Sequence, residues 1–188
     1  MGCDIHLFCE RRTKYDSWEC VDHFTIRTYD VPDKVNIKSV SDYPKYLEPV
    51  PLYDGRSYAF FSLLAGVRSN GDVEPLDDAR GLPHDVSDIV KAYSDYWKDD
   101  GYSHSWYAAK ELFEAKYEME ADRPWFDSSE TLVNEELKWA YNGLCSLCQE
   151  ITRRMVDVFY IYSTSEAVIE ERVRENADKF RVVFWFDC

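Results

Sequence analysis

A chain of 188 residues with 45% hydrophobic and 16% aromatic content can bury a core without metal or disulfide staples, and its length fits one domain. Its 36 acidic against 22 basic residues give a formal net charge of −14, which argues against a nucleic-acid binder, because phosphate backbones are met by basic patches. No window approaches about 18 consecutive apolar residues, and no basic start leads into an apolar run and cleavage site, so neither a membrane span nor a signal peptide is expected.

The first ten residues alternate. Cys3, Ile5, Leu7 and Cys9 fall on one face of an extended strand, and Asp4, His6, Phe8 and Glu10 on the other. A strand over 3–12 is expected, then a turn at 14–17 and a return strand over 18–21. Residues 28–57, holding Pro32, Pro44, Pro49, Pro51 and Gly55, read as a long irregular loop. Ser57 is placed to cap a buried helix over 58–65 that is apolar nearly all round and ends at Gly66. A polar loop follows from Arg68 to His84, and Asp85 or Ser87 opens a helix to about Trp97.

Asp99-Asp100-Gly101 is a stop. Ser105 then reads as the cap of a helix carrying Trp106, Ala109, Phe113 and Tyr117. Asp127-Ser128-Ser129-Glu130 opens a long helix whose apolar residues, Val133 through Leu144 and Ile151 to Val158, recur every three or four positions. It runs on to 162, or else 156–162 is a strand. Ser163-Thr164-Ser165-Glu166 is a capping box before a helix to about 177, and β-rich 180–187 forms a strand beside the first. The sum is an α+β domain, a small and mostly antiparallel sheet using both chain termini, packed by helices from the middle of the chain.

Six cysteines stand at 3, 9, 20, 145, 148 and 188, and in a cytosolic chain this spread reads as reduced. Cys145 and Cys148 make the one C-x-x-C. It lies on a helix without the second ligand pair of a structural zinc site, so buried thiols are expected and no metal or other cofactor is assigned.

Residues able to carry chemistry gather at strand starts and loop–helix junctions. Asp4 and His6 share a strand face, and His104 sits in a Ser-His-Ser loop. These three are the catalytic candidates if the protein is an enzyme. His84 lies before a helix, and His23 reads as structural or exposed. Arg56, Arg68 and Arg80 stand beside glycines or turns, where guanidinium forks and helix-start amides favour anions. With Tyr58, Ser105 and Trp106 they make the ligand-binding candidates, an anionic pocket with an aromatic wall. No P-loop, no Gly-x-Gly-x-x-Gly and no Gly-x-Ser-x-Gly elbow is present.

Five segments in order carry a resemblance: Met-Gly-Cys-Asp-Ile-His at 1–6, Arg-x-Tyr-x-x-Phe with Leu-Ala-Gly-Val-Arg at 56–68, Arg-Gly-Leu-Pro-x-Asp-Val-Ser at 80–87, Asp-Gly-x-Ser-His-Ser-Trp at 100–106 and Val-Phe-Trp-Phe-Asp at 183–187. The chain resembles a family of small uncharacterised bacteriophage and prophage proteins. Tyr102 stands where that family pattern has a histidine, and 115–178, outside the pattern, reads as a helical elaboration of a single domain spanning 1–188.

The resemblance implies a phage accessory protein in the host cytoplasm that counters host defence, by binding or cleaving an anionic, nucleotide-like ligand. The alternative is an acidic-surface inhibitor of a host nucleic-acid-binding effector. A second alternative is a metal-dependent phosphodiesterase, suggested by Asp4-x-His6 with the later Ser103-His104. The expected partners are thus a nucleotide-like small molecule or a host defence protein, with no direct nucleic acid and no membrane. The surplus of aromatics is compatible with a homodimer.

Overall fold

The computed structural model describes residues 2–28, 35–69, 71–121 and 134–187. The expected helix opening at Asp127-Ser128-Ser129-Glu130, Val133 and Cys188 lie outside these residues.

A four-stranded antiparallel sheet in the order β2-β1-β6-β5 forms the centre. β1 (Asp4–Arg12) and β6 (Phe180–Asp187) pair along their length, from Asp4 opposite Asp187 to Arg11 opposite Phe180. β2 (Trp18–Cys20) and β5 (Tyr102–Ala108) flank them. A second sheet pairs β3 (Phe24–Ile26) with β4 (Leu47–Pro49). Between them a 3-10 turn at Val40–Asp42 leads into the short α1 (Tyr43–Tyr46). Part of the expected irregular stretch is therefore a strand and a helical turn.

The alternation of the first strand sorts the molecule into layers. Leu7, Cys9, Val182, Phe184 and Phe186 join one core with α2 (Tyr58–Ala65), α4 (Ala109–Ala121) and α5 (Glu135–Val158). Phe8, Val183 and Trp185, on the other face, pack with Val90 and Tyr93 of α3 (Asp88–Trp97). A helix α6 (Glu166–Asn176) precedes β6. Its N-cap is Ser165, not Ser163, whose hydroxyl instead accepts the Ser165 amide at 3.1 Å.

Local signals explain the helices. The Ser57 hydroxyl accepts the Phe60 amide at 3.3 Å, and Gly66 ends α2 in the left-handed region at φ 66°. Asn134 caps α5 through Leu137, and the helix stops at Val158, so 156–162 is no strand. α5 and α2 approach closely at Gly143, where a Cβ would come within 2.6 Å of Phe60 Cβ. Gly143→Ala is therefore expected to lose about 1–3 kcal/mol by overpacking, read as a lower urea midpoint with an unchanged slope.

Two further sequence expectations are corrected. Ser105 caps no helix. It is a buried mid-strand residue of β5, opposite Phe184, and the helix begins at Ala109. The cause is an irregularity between Tyr102 and Ser105, three steps on β5 against two on β6, with Ser103 at φ 50°. The chain is also not wholly reduced. Cys3 is disulfide-bonded, whereas Cys9, Cys20, Cys145 and Cys148 are free thiols.

Candidate functional site

The nine residues singled out in the sequence fall into three neighbouring groups along the sheet. At the first, β1 starts. Asp4 lies directly opposite Asp187 on the neighbouring strand, an arrangement of like charges that costs energy unless compensated. Arg56 compensates, donating from Nε to Asp4 Oδ1 at 2.8 Å and from Nη2 to the same oxygen. The contact holds the guanidinium pKa above its ordinary value. The Tyr58 hydroxyl accepts the Cys3 amide at 3.3 Å, and the Arg68 guanidinium lies 6.0 Å from the Tyr58 ring centre. Tyr102 donates its hydroxyl to Cys3 Sγ at 2.8 Å.

The second group is a rung of three rings across β1, β6 and β5. Trp185 lies opposite His6, with ring centres 5.7 Å apart, and His104 stacks against the same indole at 5.4 Å. The β5 irregularity turns His104 to this face. Trp97 closes over His6 at 4.4 Å. Burial lowers the pKa of both imidazoles, which favours neutral rings at neutral pH; for His6 the Asp187 carboxylate opposes the shift. His6 Nε2 lies 3.5 Å from Asp187 Oδ2, too long for a well-formed hydrogen bond. The expected partner of His6, Asp4, is held by Arg56 instead. His104 Nε2 has a partner the sequence did not suggest, the Ser94 hydroxyl of α3 at 3.0 Å. His84 and His23 are exposed.

The third group is at the far end of β5. Arg80 forks onto Glu111 at 2.7 and 3.1 Å, donates from Nε to Asp77 at 3.0 Å, and lies over the rings of Trp106 and Tyr107. The Arg80 amide donates to the buried Ser105 hydroxyl at 3.2 Å. Glu111 also accepts the Ala108 amide, capping α4. This network fastens the 77–81 loop to the start of α4 and leaves Arg80 strongly committed to protein carboxylates.

The structure thus joins Asp4 with Arg56 and Tyr58, and His6 with His104, but sets Arg80, Ser105 and Trp106 apart. Trp106 and Tyr58 do not face one pocket. Tyr58 and Arg56 instead line a cleft of about 500 Å³ between the start of α2 and α5, with Tyr53, Trp139 and Asn142 among its walls. A second hollow of about 460 Å³ shares Tyr53 and Ser146. The α5 residues of the cleft were missed in the sequence. Their signal is Trp139, an aromatic standing among polar residues on the stripe Glu136, Trp139, Asn142 and Ser146, and it is 51% exposed.

Among the described residues, no group of three or more His, Cys, Asp or Glu side chains is placed to hold a metal ion, and no helix is long and apolar enough to cross a membrane. Family models, curated proteins and solved structures give no match to this chain.

Proposed function

We propose that this chain binds a small nucleotide-like anion in the cleft between α2 and α5, as expected of a phage accessory protein acting on a host nucleotide signal. One observation carries the reading. Around about 500 Å³ the cleft gathers a guanidinium, Arg56, three aromatic rings, Tyr53, Tyr58 and Trp139, and the first turn of α2.

The chemistry of the walls suits that ligand class. The first-turn amides of a helix, here those of Tyr58 and Ala59, have no acceptor within their own helix, and the helix dipole favours an anion there. Arg56 adds a formal charge in a chain otherwise rich in carboxylates. Exposed aromatics offer stacking faces to a base, and the Asn142 amide and Glu136 carboxylate supply a donor and acceptors for its edge.

The test is native mass spectrometry of the purified protein with linear and cyclic nucleotides, with the same samples chromatographed for products. A ligand mass should add to the parent. Arg56→Ala should weaken binding roughly tenfold or more, the size of a charge-assisted hydrogen bond, and Trp139→Ala should weaken it too. Variants that bind as well as the parent would sink the reading. New products would add catalysis to binding. Binding of no nucleotide, with capture of a host nucleic-acid-binding protein that weakens steeply with salt, would favour the acidic-surface inhibitor.

A further inference from the structure

Arg56 belongs to two structures at once. It is a wall of the cleft, and it is the cation that neutralises Asp4 where β1 begins. It lies across the backbone of Gly2, where a Cβ would approach its Cζ to 3.1 Å, so a side chain at position 2 would push it away. A second cleft residue, Tyr58, is tied to the same strand start through the Cys3 amide. Two wall residues of the cleft are thereby bonded to Cys3 and Asp4, where β1 begins.

We infer that Asp4 is an internal competitor for the cleft's anion. This rests on the cleft being a binding site. The carboxylate occupies the Nε/Nη2 edge of Arg56, one of the two edges a phosphate can take in a bidentate fork. A phosphate entering the cleft must share that guanidinium or displace Asp4, and displacement restores the repulsion between Asp4 and Asp187 across the strands. Asp4 therefore sets the affinity threshold for the charged part of the ligand and leaves its base untouched. Both partners are more than half exposed, at 53% for Arg56 and 57% for Asp4, so the contact is weak enough to exchange.

The experiment titrates AMP and adenosine, which differ by the phosphate, against the parent, Asp4→Asn, Asp187→Asn and Arg56→Ala proteins. Asp4→Asn should bind AMP about three- to tenfold more tightly and adenosine equally. That range follows from removing a competing surface ion pair. Asp187→Asn, which does not touch Arg56, should shift AMP affinity less than Asp4→Asn. Arg56→Ala should bring AMP close to adenosine, and adding Asp4→Asn to it should change nothing further. If the parent binds AMP through Arg56 and Asp4→Asn leaves that affinity unchanged, the competitor is overturned and the cleft reading stands. If neither AMP nor adenosine binds any of the four proteins, both are overturned. Circular dichroism of each variant checks that it is folded.

Discussion

Glu10→Ala is expected to cost about 3–5 kcal/mol of folding stability, the range for breaking one side of a buried ion pair. The Glu10 side chain is fully buried and that of Arg181 is 3% exposed. Arg181 Nε donates to Glu10 Oε2 at 2.7 Å, and the Ser87 amide at the start of α3 donates to Oε1 at the same distance. Arg181 also donates from Nη1 to Asp85 at 2.7 Å and lies 4.1 Å above the Trp18 ring. This carboxylate therefore bonds β1 to β6 and pins α3 onto the sheet. Removing it leaves the guanidinium buried against a part-exposed Asp85, and the Ser87 amide without its acceptor. A domain of this size has a total stability of roughly 5–15 kcal/mol, so the loss should be plain in urea denaturation. The double variant Glu10→Leu with Arg181→Met should lose less than Glu10→Ala alone, because it leaves no unpaired charge in the interior. A loss below about 1 kcal/mol for Glu10→Ala would mean that Arg181 finds water once the carboxylate is gone, and that the clamp is not what seats α3.

That clamp lies on the strand face legible from the first ten residues, and its partners show where legibility ends. Alternation placed Glu10 with His6 and Phe8, opposite Leu7 and Cys9, and the two cores divide the strand in that way. The three-and-four spacing of α5, the Ser57 cap and the Gly66 stop were likewise local, each set by residues within one turn of one another. β5 was not local. Its polar run Tyr102-Ser103-His104-Ser105 shows no clean alternation because an extra residue is accommodated there, so a serine before Trp106 looks like a helix cap. The strand exists because Phe184 and Phe186 of β6 offer it a ladder, information carried some eighty residues downstream.

The candidate site shows the same division. Residue types were readable, but pairings were not. Arg56 reads from the sequence as a ligand-binding candidate and Asp4 as a catalytic one, yet they meet each other across the fold. Arg80 is taken by Glu111, which the sequence shows only as one acid among 36. A short-range reading counts cations near glycines; only the tertiary structure says which are already neutralised. The cleft itself needs α2 and α5 side by side, an approach fixed by Gly143 against Phe60.

Asp22→Asn is expected to stabilise the protein at neutral pH, by an amount that disappears in acid. Asp22 is buried just after β2, where Oδ2 accepts the Cys9 amide at 2.8 Å and the Cys20 thiol at 3.5 Å, while Oδ1 is buried with no hydrogen-bond partner among the described residues. Arg154 of α5 is near, but it directs Nη1 to the Val21 carbonyl at 3.4 Å. Burial raises the Asp22 pKa to about 6; the Cys9 amide, Arg154 and Cys20 pull it down, and Glu10 pushes it up. The folded value thus exceeds the ordinary 3.8. The folded chain binds this proton more tightly than the unfolded one, so its contribution is fully present below about pH 4 and is lost as the pH rises through about 6. A rise from 3.8 to about 6 corresponds to about 3 kcal/mol. An amide keeps the shape and an acceptor for the Cys9 amide, and it carries no charge to desolvate. The stability difference between Asp22→Asn and the parent, measured by urea denaturation, should therefore grow by about that much from pH 4 to pH 7. Burial lowers the pKa of His6 and His104 and gives the opposite trend in the same window, stability lost as the pH falls. Both proteins carry those histidines, so their effect cancels in the difference. A gap that does not change with pH would show that Asp22 titrates like an exposed carboxylate, with water reaching Oδ1 and a β1–β2 junction that opens to solvent.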